Sequence, residues 1–134
     1  MVANGKINDD TKKELDKLYK HIKKIEKLAE ETNEPDKKIL YNSKIYFTFE
    51  GKKEGKKGRT VSNCAEIWAA RNAILQGAKF DNLIFRSQTY VENKFADPCQ
   101  NCRRTFAYNW VLSDDEIYMP SKKFQIDIPF EGGD

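Results

Sequence analysis

Residues 63–80 read NCAEIWAARNAILQGAKF and residues 97–104 read DPCQNCRR. The first stretch is dense in Ala65, Ile67, Trp68, Ala69, Ala70, Ala73, Ile74 and Leu75, and it ends at Gly77, where a glycine suits a helix C-terminus. A helix over 63–77, apolar nearly all round and therefore buried, is predicted there. The second stretch predicts a short helix over 102–108. Each carries cysteine, Cys64 in one and Cys99 and Cys102 in the other.

Working outward, residues 8–31 place Leu15, Leu18, Ile22, Ile25 and Leu28 in steps of 3, 4, 3 and 3, one stripe down an amphipathic helix. Thr11 with Glu14 reads as a capping box opening it. Seven lysines balance seven acids over 9–31, so its polar face reads as solvated and not as a basic arm. Residues 39–49 are β-branched and aromatic, with a break at Asn42 and Ser43, and predict one strand or two short ones. Residues 51–59, GKKEGKKGR, hold five cations and three glycines and predict a hairpin tip or loop, with a short strand following over 59–61. Residues 82–91 have a strand's composition. After Trp110, Val111 and Leu112 comes an acidic turn over 113–116, and then Phe124, Ile126, Ile128 and Phe130 alternate as in a half-buried strand over 123–130. The short connection between these last two segments favours an antiparallel C-terminal strand pair.

The chain is 134 residues long, with 39% apolar, 34% charged and 12% aromatic residues. That length predicts a single domain, with the first helix over 8–31 and the remaining core over 39–130, able to bury its own core. No apolar run approaches the roughly 18 residues of a membrane span, and residues 1–8 carry no secretory signal, so a soluble chain with no membrane partner is expected. The formal net charge of +3 is a weak argument for a polyanionic partner. The order of elements is α/β, helices packed on a sheet.

Three cysteines make an odd number, which fits a metal or a reactive thiol better than a disulfide framework. A C-x-x-C pair lets two sulfurs converge from one turn of backbone, and Cys64 supplies a third from another helix. With no fourth protein ligand, a zinc held there keeps an open position for water, as catalytic zinc sites do. Glu66, two residues after the first thiolate, can take a proton from that water and pass it to a leaving nitrogen. His21, the single histidine, reads as a partly exposed residue of the first helix and not as a fourth ligand.

The Cys-Ala-Glu run at 64–66 followed by Pro-Cys-x-x-Cys at 98–102 resembles the zinc-dependent cytidine deaminase superfamily, whose motif is a known signature. Within it the chain is most similar to the deaminase domains of bacterial polymorphic toxins, the YwqJ-like group in particular. The match that bears the motif covers about 62–104. The resemblance implies a cytidine deaminase-like three-layer fold: a mixed sheet of about five strands with the zinc-bearing helices on one face. It implies that Cys64, Cys99 and Cys102 bind zinc, that Glu66 shuttles protons, and that the backbone around Ala65 and Asp97 contacts the base. Either Asn42 or Asn63 would orient the substrate. Trp68 is a candidate for the base pocket and Arg103 for the cleft border, with core packing and surface charge as the plainer readings. The implied activity converts cytosine to uracil in nucleic acid, single-stranded DNA ahead of RNA or double-stranded DNA. It would be part of a larger, secreted or delivered toxin acting in the target-cell cytoplasm and neutralised by a cognate immunity protein. A deaminase of free nucleosides or nucleotides, and a non-catalytic zinc-stabilised nucleic-acid-binding module, are the alternatives.

Overall fold

The computed structural model describes residues 7–32, 38–41, 43–49, 61, 64–88, 95–96 and 98–128. The basic stretch 51–59 and the candidate residues Asn42, Asn63 and Asp97 lie outside these residues.

The first element is helix α1, Asp9–Glu31. Its stripe is the one the spacing predicts: Leu15, Leu18, Ile22 and Ile25 are buried, joined by Ala29, while Leu28 packs at the margin of the core. The cap is different from the one expected. Asn8 closes the helix by accepting the Thr11 N–H on its Oδ1 at 2.7 Å. Glu14 is thereby free of any capping role and reaches across to accept the Phe80 N–H at 2.8 Å, tying α1 to the turn of 3-10 helix Phe80–Asn82.

Strands β1, Lys38–Tyr41, and β2, Lys44–Phe47, form an antiparallel hairpin in which Tyr41 faces Lys44. Ser43 turns the chain with φ +62°, in the left-handed region that short polar residues tolerate at tight turns. Two short strands with a break at 42–43 is therefore the correct form of the prediction. Val61, the described residue of the short strand expected over 59–61, is fully buried and has 3-10 geometry instead.

Helix α2, Ala65–Leu75, begins two residues later than its composition suggests, with Cys64 as N-cap. Gly77 follows its end at φ +106°, a conformation that an L side chain rarely adopts. The helix is not buried all round. Ile67, Ala70 and Ile74 face the core, whereas Ala65, Trp68 and Ala69 are exposed. Alanine is as much a helix former as a core residue, so an alanine-rich helix looks more apolar than the surface it buries.

Among the described residues of the predicted 82–91 strand, β3 is Ile84–Phe85 and Gln88 makes an isolated antiparallel bridge to Phe95, while 89–91 lie outside the described residues. Helix α3, Gln100–Thr105, has Cys99 as N-cap, so it starts and stops earlier than the predicted 102–108. Strand β4, Trp110–Leu112, runs parallel to β3 and antiparallel to β5, Ile117–Tyr118. The antiparallel C-terminal pair is present, but its second strand is β5 and not 123–130. Pro120 stops the strand and opens the one-turn helix α4, Pro120–Lys123. Beyond it Gln125 takes φ +53°, and Ile126 donates its N–H back to Ser121. The alternation at Phe124, Ile126 and Ile128 arises from a coil lying along the core, with no strand partner to pair it among the described residues.

The fold is thus mixed α/β with a three-stranded mixed sheet, β3-β4-β5. The five described strands are divided between that sheet and the separate β1-β2 pair. α1 packs against α2, α3, β2 and the Phe80 turn, so it is a neighbour shared by the two cysteine-bearing helices. No described helix is long and apolar enough to cross a membrane.

Candidate metal centre

Cys64 is the extended N-cap residue from which α2 starts, and Cys99 is the same for α3. Cys102 lies in the first turn of α3. Convergence of the two helix starts brings the three sulfurs within 4.8 Å of one another, with Cys64 and Cys99 3.2 Å apart. Cys64 and Cys102 are buried and Cys99 is half-buried; all three are free of disulfides.

The group cannot ionise freely on its own. Contacts with Cys102 and then Cys64, supported by the backbone N–H groups of Cys102 and Asn101, pull the Cys99 thiol far below its ordinary range. Contacts with Cys64 and Cys99, together with burial, push the Cys102 thiol up. Cys64 is also pushed up: its contact with Cys102 lowers it, but the bond to Cys99, burial and the charges of Cys99 and Glu66 outweigh that. The three thiols thus oppose one another's ionisation, and a cation is the species that lets all three ionise. Tetrahedral zinc with bonds of about 2.3 Å sets sulfurs roughly 3.8 Å apart, within the span these three occupy. The donor set and its spacing fit zinc.

Glu66, on the first turn of α2, is near enough to Cys64 to raise its thiol electrostatically. It stands outside the three-sulfur group, and its Oε2 accepts a hydrogen bond from Ser87 Oγ at 3.0 Å. Ser87 follows β3 and was not singled out by any motif. Its position just past the carboxyl end of a strand in a parallel pair, where α/β folds collect ligands, is the signal that could have found it.

The other candidates are dispersed. Ala65 is exposed beside Cys64. Trp68, 52% exposed, carries Arg71 over its ring at 5.9 Å and, with Tyr19, Ile22, Lys23, Glu26 and Ile67, lines a groove of about 420 Å3 between α1 and α2. Arg103 stacks its guanidinium on Phe124 at 4.1 Å, and its Nε is buried without a hydrogen-bond partner. Asn101, between the two cysteines, is fully buried and accepts the Phe49 N–H at 2.8 Å, fixing the end of the hairpin segment to α3. His21 is apart from the thiols, stacked on Phe80 with centroids 4.5 Å apart and Nδ1 bonded to Lys17 O at 3.0 Å.

Comparison with protein-family models, with curated proteins and with solved structures finds no match to this chain.

Proposed function

We propose that Cys64, Cys99 and Cys102 hold a zinc ion and that the domain is a hydrolytic deaminase of cytosine in nucleic acid, single-stranded DNA first among the polymers. The observation that carries the reading is the meeting of three sulfurs from two helix starts with a carboxylate, Glu66, anchored beside them. Zinc bound there would act as a Lewis acid and lower the pKa of water. Glu66 accepts a proton from the attacking water and returns protons to the ring nitrogen and the departing amine, so that cytosine and water give uracil and ammonia. Resemblance of the motif to polymorphic-toxin deaminases supports a toxin domain within a larger delivered protein, with an immunity protein that covers the cleft. A zinc-stabilised binding module would have no use for a carboxylate at this place.

Product analysis by mass spectrometry tests this, with wild type and Glu66→Ala incubated with single- and double-stranded DNA, RNA and free nucleosides, and zinc measured in both proteins. Uracil in a polynucleotide, lost by a factor of about 10²–10⁴ in Glu66→Ala at unchanged zinc content, is the expected result. Product from free nucleosides alone would make the enzyme a nucleoside deaminase. Zinc-loaded protein without product in any pool would leave the binding module.

A further inference from the structure

We propose that Ser87 is a positioning residue for Glu66, fixing which carboxylate oxygen works on the substrate; this rests on the reading of Glu66 as the proton carrier. A glutamate on the first turn of a helix has three rotatable side-chain bonds and nothing in its own helix to hold its end still. Ser87 supplies that hold from a different element. Its hydroxyl has one hydrogen, given to Glu66 Oε2 at 3.0 Å. The serine is itself held: its carbonyl accepts the Ala96 N–H at 2.8 Å, and its neighbour Gln88 bridges Phe95. Residues 95–96 lead within three residues to Cys99. One backbone unit therefore anchors both the Glu66 carboxylate, through Ser87, and the start of the helix that brings Cys99 and Cys102 to Cys64. Oε2 is the anchoring oxygen and Oε1 the one that carries protons. A carboxylate displaced by about 1 Å from a productive geometry can cost as much as a hundredfold in rate.

The test uses zinc-loaded full-length protein and the polynucleotide on which wild type is active. Ser87→Ala is expected to lower kcat by about 10- to 100-fold with KM within about twofold, at unchanged zinc content and thermal midpoint. Ser87→Thr, which keeps the hydroxyl, is expected to recover most of that loss. A crystal structure of zinc-loaded Ser87→Ala is expected to show the Glu66 carboxylate spread over more than one rotamer, against a single one in wild type. Unchanged kcat, a loss that threonine does not recover, or a Glu66 carboxylate that stays in place in Ser87→Ala would each overturn the proposal. Glu66→Gln in the same assay separates the two ideas: if it turns over like wild type, or if wild type shows no turnover, the reading of the reaction fails. The crystallographic comparison then decides alone whether Ser87 holds Glu66.

Discussion

Among the described residues, the polar groups at the Phe80 turn and the thiols of the three cysteines are completed in opposite ways. At the Phe80 turn, Glu14 accepts the Phe80 N–H, Asn109 Nδ2 donates to the carbonyls of Phe80 and Leu83, His21 stacks on the Phe80 ring, and Lys17 pairs with Glu14 and Asp81. Donors meet acceptors and charge meets charge, so the protein satisfies the cluster from its own side chains. At the thiols, three groups of one kind face one another and compete for protons. The first arrangement fastens helix to turn and needs nothing further. The second is a set of like donors grouped closely enough to hold a cation.

The contrast breaks most directly by removing metal. Chelation of zinc-loaded protein is expected to lower the thermal midpoint by roughly 10 °C, corresponding to about 4 kcal/mol at a zinc level a thousandfold above Kd, and Cys99→Ser is expected to reproduce the shift and abolish stoichiometric zinc binding. Calorimetry with and without chelator, beside metal analysis, checks this. An unchanged midpoint would put the thiols in the same class as the Phe80 turn. Next in size, Glu14→Ala leaves the buried Phe80 N–H without its carboxylate and should cost about 2 kcal/mol in urea unfolding, with zinc content untouched. A coupled loss of zinc would show the two clusters to be one unit.

The smallest effect is a pH dependence. Burial lowers the His21 pKa from 6.5 to about 4, against a partial rise from Asp81. The fold favours the neutral ring, so between these values the unfolded chain binds more protons and stability falls as pH drops from about 6.5 towards 4. The loss should be about 1–2 kcal/mol, less than the full shift implies because the ring is partly exposed. His21→Phe, which keeps a ring against Phe80, should flatten that slope in urea titrations at pH 7 and pH 4.5. An equal slope in both proteins would assign the acid sensitivity elsewhere.

Regular periodicity and sequence-local chemistry were legible. The α1 stripe and Gly77 follow from residue spacing and backbone preference, and the cysteines that meet at the helix starts could be paired from the C-x-x-C spacing and a third thiol. What failed to read was what depends on partners distant in sequence. Glu14 looks like a capping residue until Phe80, 66 positions away, takes its carboxylate. Residues 124–128 alternate like a strand, but alternation records which side faces the core and not whether a neighbouring chain supplies hydrogen bonds. Trp68 looks like core by composition, yet is exposed on the α1–α2 groove. Ser87 carries no motif, and its meaning comes from what lies across from it.

The 35-residue separation of Cys64 and Cys99 has a consequence for assembly. Cys99 and Cys102 are neighbours within one helical turn, a two-pronged grip available as soon as that turn forms, whereas Cys64 arrives only after the chain between them has closed into a loop. An ion caught by all three works as a removable cross-link, holding together ends whose closure costs the flexible chain entropy. Its departure would release the loop from the α2 end and leave the local pair as the remaining grip.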